Sequence, residues 1–213
     1  MGADPVCGSS HSGPVYTENF KMTDDGSMEE ALVYLRNVSY SGGAPKDSVV
    51  LDQKGCIYKP HILGMVAGQK LLIKNSDATL HNIHAMPNVN KEFNFAMPKV
   101  VKEKTTSFSK SEEDPFYIKC DVHPWMKSWA LVQDHPYFAV TDKNGNFSIE
   151  NIPPGTYEVV AWQERFKMKR SITKTVEIKD SYGEKHDLLI RWSRLPNLFF
   201  TRNDSDIKNN DCY

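Results

Sequence analysis

The chain has 213 residues, 39% of them apolar and 25% charged, with a formal net charge of −1. That length suits one large or two small domains, and the apolar share is too high for wholesale disorder. Near-neutrality gives no reason to expect nucleic acid or an anionic membrane as partner, and apolar runs of only a few residues exclude a helical membrane span.

The first residues, Met1-Gly2-Ala3-Asp4-Pro5, have neither the basic n-region nor the apolar h-region of a leader. A helix-like start at Glu29-Glu30-Ala31-Leu32 runs into Val33-Tyr34-Leu35, which reads as a strand. Gly42 to Lys46 is a Gly/Pro loop. Short apolar–polar alternations then recur at 69–73, 106–109, 116–119, 129–132, 137–140, 147–149, 157–162 and 175–178. Asn144-Gly145 predicts a hairpin joining 138–140 to 147–149, because both turn residues tolerate positive φ. Pro153-Pro154-Gly155 breaks the sheet and starts a new strand at Tyr157. Many short strands between turn signals predict an all-β sandwich or barrel. Lys102 to Lys104 and Lys110 to Asp114 read as solvated faces, Arg165 to Arg170 as a basic hairpin, and His135 and His186 as surface residues. After Trp192 the chain becomes a polar tail.

The chemistry concentrates in Cys120-Asp121-Val122-His123-Pro124-Trp125-Met126. A thiol, an imidazole and a thioether within seven residues can close around one metal at the end of the strand 116–119. Thiolate and thioether select copper, imidazole suits either of its oxidation states, and two histidines with one cysteine and a distant methionine form the blue-copper pattern. A second histidine is therefore expected. Thr79-Leu80-His81-Asn82-Ile83-His84 offers two, which point to opposite faces of a strand, so only one joins Cys120.

These two segments resemble the cupredoxin family, in its amicyanin- or plastocyanin-like branch, over about Val49 to Val132. The resemblance implies a Greek-key β-sandwich. It picks His81 over His84 as the first ligand, with Cys120, His123 and Met126 completing a type 1 copper site. Asn82 would tie the two ligand loops together. His61, His84 and Met86 remain weaker candidates, and with Met97 they would make a second copper site. The resemblance implies single-electron transfer rather than catalysis. A redox partner would dock transiently near a partly exposed His123, with Pro124 and Trp125. A copper carrier or sensor, using the same soft ligands without redox cycling, is the alternative.

Val140-Thr141-Asp142-Lys143-Asn144-Gly145-Asn146-Phe147, followed by Pro153-Pro154-Gly155-Thr156-Tyr157, resembles the carboxypeptidase regulatory-like (transthyretin-like, or prealbumin-like) β-sandwich, a small non-catalytic module. The expected division is then an arm and strand at 1–47, a cupredoxin domain at 48–134, the second sandwich at 135–192 and a tail at 193–213. Ala31 to Leu35 would supply the second sandwich with its first strand, the cupredoxin being inserted after it. Cys7 and Cys56 are either buried thiols or a disulfide holding the N-terminal arm, and Cys212 is left over. Copper and a disulfide both argue for a periplasmic or secreted protein whose leader has been removed.

Overall fold

A computed structural model describes residues 4–13, 15–16, 20–24, 26–165, 171–179, 188–190 and 200–202. Cys212, His186, the basic cluster beyond Arg165 and most of the expected tail lie outside the described residues.

The described residues form a short helix, α1 (Pro5–Ser9), and a series of short strands. These are β1 (Lys21–Met22), β2 (Met28–Glu29), β3 (Leu32–Arg36), β4 (Val49–Gln53), β5 (Tyr58–Lys59), β6 (Ile62–Val66), β7 (Lys70–Asn75), β8 (His81–Met86) and β9 (Phe93–Met97). They continue with β10 (Glu103–Ser107), β11 (Phe116–Lys119), β12 (Lys127–Gln133), β13 (Phe138–Val140), β14 (Gly155–Trp162), β15 (Ser171–Ile178), β16 (Leu188–Ile190) and β17 (Phe200–Arg202). The fold is all-β, as the alternation predicts.

Two sheets, ordered β10-β7-β4-β5 and β6-β12-β11-β8-β9, close the first sandwich. The pairs β4–β7 and β6–β12 are parallel and the remaining pairs antiparallel. Parallel neighbours need crossovers between the two sheets, which wind this part of the chain through both layers. Alternate residues of each strand face inward: Leu71 and Ile73 from β7, Ile83 and Ala85 from β8, Phe116 and Ile118 from β11, Ala130 and Val132 from β12. At roughly 25 cal/mol per Å² of apolar surface removed from water, this core is the main source of stability.

A third layer, β13-β3-β14-β15, lies behind the five-stranded sheet. Leu32 and Tyr34 of β3 and Val160 and Trp162 of β14 pack on Ile62 and Leu131. Val33, Leu35, Val159 and Ala161 face the other way, under Phe147, Ile149 and Ile152. Both faces of β3 are covered, which explains why Leu32-Val33-Tyr34-Leu35 is continuously apolar instead of alternating. Gly64 permits the close approach of the layers, since a Cβ there would lie 2.4 Å from the Phe138 ring. Strand β3 pairs with β13 and β14, so residues 49–133 are threaded between the strands of this third sheet.

Three expectations are corrected. The Asn144-Gly145 turn forms, with Gly145 at φ +76° and Asp142 accepting the Asn144 and Asn146 amides, but 147–149 is not a strand. Its apolar side chains cover the third sheet instead of extending it. His135 is not a surface residue: it is 2% exposed and stacks on Tyr137, where burial pushes its pKa down. Within the expected solvated face at 110–114, Glu112 is buried and accepts the backbone amides of Asn88, Val89 and Asn90.

Candidate metal centre

His81 opens β8 and shares the inward face of Ile83 and Ala85. Cys120 follows β11 and continues the inward series Phe116, Ile118. Strands β8 and β11 are antiparallel neighbours, so the start of one and the end of the other meet at one end of the sandwich. The loop after Cys120 is closed by its own backbone: Met126 N–H donates to His123 O at 2.9 Å, and Cys120 N–H to Met126 O at 3.2 Å. This folds His123 back over the same end.

The result is a compact donor set. His81 Nδ1 and His123 Nδ1 are 2.9 Å apart, and Cys120 Sγ is 3.9 Å from His123 Nδ1. Ligand atoms of His81, Cys120 and His123 all lie within 4.8 Å of one another, and all three residues are buried. Separations of this size are those of donors that could hold one metal ion, for which metal–nitrogen and metal–sulfur bonds run about 2.0–2.3 Å. The outer nitrogens point away from this centre. His81 Nε2 donates to Asp77 Oδ2 at 2.9 Å, and His123 Nε2 to Asp4 Oδ2 at 3.1 Å. Each carboxylate thereby fixes its ring's tautomer, with the proton on Nε2 and a lone pair on Nδ1. Two ring nitrogens 2.9 Å apart need either a proton shared between them or a metal cation. Burial pushes the pKa of His81 down, against the pull of Asp77, which keeps the ring neutral and able to ligate.

Asn82 points to the opposite side of β8 and clamps the loop. Its Oδ1 accepts the Asp121 and Val122 amides at 2.7 and 3.3 Å and the Cys120 thiol at 3.2 Å. Its carbonyl accepts the hydroxyl of Tyr58, a buried phenol whose pKa desolvation drives up. Met126, whose carbonyl accepts the Cys120 amide, is fully buried in the core.

The other predicted residues are placed elsewhere. Both ring nitrogens of His84 face carboxylates, Asp121 at 3.0 Å and Glu92 at 2.6 Å. The carboxyl of Asp121 is held at about 2, first by its bond from Lys119. His61 is buried against Glu164 at 2.8 Å. Met86 is exposed at the far end of β8, and Met97 is core. Trp129 packs between Tyr117 and Trp162, and Trp125 lies against His123 with its Nε1–H on Cys56 O.

His123 departs from the sequence reading: it is 3% exposed, not a partly exposed ligand. The N-terminal arm covers it. Asp4 caps α1 by accepting the Val6 and Cys7 amides, and Pro5 suits the first helical turn. The sulfurs of Cys7 and Cys56 are bonded, with their Cα atoms 5.4 Å apart. Cys7 Sγ lies 3.7 Å from His123 Nε2. The Cys7 amide is the largest influence holding the Asp4 carboxyl at about 2, with His123 and Thr79 adding to it. Pro124, Val122 and Leu80 remain exposed. The sequence reading does not include Asp4 or Asp77. Asp4-Pro5 carries a legible helix-start signal, but nothing local links it to His123, 119 residues away.

Residues 104–186 match the family model described as polysaccharide lyase family 4, domain II. No curated protein matches the chain. Among solved structures, a copper-containing nitrite reductase (NirK) from Thermus scotoductus SA-01 is 21% identical over 46% of this chain, with a TM-score of 0.35. The match spans only 25% of the reductase's length. A Cu(I) form of an amicyanin mutant is 21% identical over 47% of this chain and 98% of its own, with a TM-score of 0.36. A purple cupredoxin from Nitrosopumilus maritimus is 22% identical over 36% of this chain and 82% of its own, with a TM-score of 0.31. Among the described residues no helix is long and apolar enough to cross a membrane.

Proposed function

We propose that the protein is a mononuclear copper protein of the cupredoxin type that transfers single electrons and does not catalyse a bond-making reaction. The observation that carries this reading is the convergence of His81 Nδ1, His123 Nδ1 and Cys120 Sγ, with each ring's other nitrogen bonded to a carboxylate. That donor set is soft and borderline, which suits copper, and Met126, at the close of the same loop and buried, is the axial thioether candidate. Copper held there would accept or release one electron by cycling between Cu(II) and Cu(I). The chain's own part is to keep the donors fixed in both states. Asn82 ties the ligand loop to β8, the core buries Cys120, and the His123 N–H, 3.4 Å from Sγ, lies where it can donate to sulfur.

The electron's donor and acceptor are partner proteins in transient encounters, and exposed Pro124, Val122 and Leu80 suit such contact. The Cys7–Cys56 disulfide suits a periplasmic or secreted setting. Residues 48–134 form the cupredoxin unit. The sheet of β3, β13, β14 and β15 is read as the described part of a carboxypeptidase regulatory-like module assigned to residues 135–192, with β3 lent by the 1–47 segment. The test is an optical and electron paramagnetic resonance spectrum after one equivalent of Cu(II), with Cys120→Ser alongside. An intense visible thiolate-to-copper band with narrow copper hyperfine splitting, absent from the variant, is expected. Copper binding without that band overturns the reading.

One observation favours a second reading, a copper carrier or sensor. The arm encloses His123, where an electron-transfer site would be expected to leave this ligand partly exposed to its partner. A site that holds Cu(I) tightly and stays colourless with Cu(II) would establish it.

A further inference from the structure

We propose that Asp77 and Asp4 are positioning residues for the two imidazoles, and that the Cys7–Cys56 disulfide yokes them, making the N-terminal arm part of the metal centre. The inference rests on the copper reading of His81, Cys120 and His123.

Each carboxylate has the same two tasks. One is to accept the Nε2–H of its ring, at 2.9 Å for Asp77 and 3.1 Å for Asp4. The other is to accept the backbone amide of one half-cystine. Cys56 N–H donates to Asp77 Oδ2 at 2.8 Å, and Cys7 N–H to Asp4 Oδ1 at 3.2 Å. Further donors stop both carboxylates from swinging: Gly55 N–H to Asp77 Oδ1 at 2.7 Å, Val6 N–H to Asp4 Oδ1 at 2.8 Å, and the Thr79 hydroxyl to Asp4 Oδ2 at 3.0 Å. The disulfide therefore joins two symmetric units, each consisting of an amide, a carboxylate and an imidazole. Asp77 comes from the turn before β8, whereas Asp4 comes from the N-terminal arm, ahead of every strand of the sandwich.

The chemical consequence follows from charge. A carboxylate on the far nitrogen makes an imidazole a better donor and places negative charge near the ion. Both effects favour Cu(II) over Cu(I). Losing one such partner typically weakens metal binding 10–100-fold. If that loss falls on Cu(II) alone, the reduction potential rises by about 60–120 mV, at 59 mV per tenfold for one electron.

The experiment compares Asp77→Asn, Asp4→Asn and His11→Ala with the wild type, each loaded with one equivalent of Cu(II). Reduction potential, Cu(II) affinity by chelator competition and the visible spectrum are read. Asparagine caps a helix as well as aspartate does, so Asp4→Asn keeps α1 and tests the idea even if Asp77→Asn fails to fold. His11 bonds Gly55 O at 2.6 Å and anchors the arm without touching His123, so it controls for the arm's mere presence. The expected result is a visible band retained in both aspartate variants, Cu(II) affinity down at least tenfold, and the potential raised accordingly. His11→Ala should stay within twofold of the wild type. If Asp4→Asn also stays within twofold, or if His11→Ala moves the potential as far as Asp4→Asn, the proposal is overturned. A wild type without the band is a different result, since it defeats the copper reading underneath.

Discussion

Replacing Glu164 by glutamine tests the seam between the third sheet and the five-stranded sheet. The Glu164 side chain, 4% exposed, follows β14 and reaches across to three donors: His61 Nε2 at 2.8 Å, Lys127 Nζ at 2.9 Å and Trp129 Nε1 at 2.7 Å. Hydrogen bonds to a charged group contribute about 1.5–3 kcal/mol each. An amide keeps one accepting oxygen and turns its NH2 toward at least one donor, so a loss of about 2–3 kcal/mol is expected. The depressed pKa of the carboxyl gives a second figure. Burial alone would raise this carboxyl, but the three donors outweigh it and hold the pKa at about 2 against an ordinary 4.5. Fully realised, that difference is about 3 kcal/mol, and solvent screening reduces it to about 2 kcal/mol. The folded pKa is depressed, so the stabilisation is complete above about pH 4.5 and is lost as pH falls toward 2. Urea unfolding followed by tryptophan fluorescence suits the test, because Trp129 and Trp162 lie in the seam. Wild type should exceed Glu164→Gln by about 2–3 kcal/mol at pH 7, and the gap should shrink by about half at pH 3. A gap that does not change with pH, or one below about 0.5 kcal/mol at pH 7, refutes the reasoning.

Other consequences are more local. Gly64→Ala places a Cβ 2.4 Å from the Phe138 ring and should cost about 1–3 kcal/mol in the same assay. Serine at both Cys7 and Cys56 opens a link across a sequence separation of 49, for which chain entropy gives about 4 kcal/mol. A fall of roughly 10 °C in calorimetric melting temperature checks this. Asn82→Ala strips the acceptor from the Asp121 and Val122 amides, so copper affinity by chelator competition should drop roughly 10–100-fold.

Much of this was legible because it is local. The two-residue period that buries Phe116 and Ile118 also carries Cys120 inward, and the short Cys120–His123–Met126 spacing leaves little freedom in how the loop closes. His81 and His84 had to point to opposite faces, and they do, His84 into carboxylates on the outside. The failures are tertiary. Alternation at 147–149 says that one face is covered, not that a neighbouring strand pairs with it, and here the cover is the third sheet. His135 sits among polar neighbours in sequence, yet Tyr137 and the surrounding chain bury it. The arm over His123 rests on one bond between residues 49 apart and another between residues 119 apart, and no periodicity encodes either.

That arm also bears on which function the centre can serve. An ion leaving through the His123 side needs Asp4 displaced, and Asp4 is held by the Thr79 hydroxyl and by the start of a helix whose Cys7 is covalently joined to Cys56. An electron needs no such opening, only a short path through packed atoms. Trp125 would supply one, with its ring 5.1 Å from the His123 ring and the residue partly exposed. A cover fastened by a disulfide therefore hinders metal exchange far more than electron exchange. The enclosure that first suggests a carrier is on this reasoning better suited to a resident ion. If reduction of the disulfide speeds copper release but leaves the electron-exchange rate unchanged, the arm acts as a retaining clasp on a transfer site.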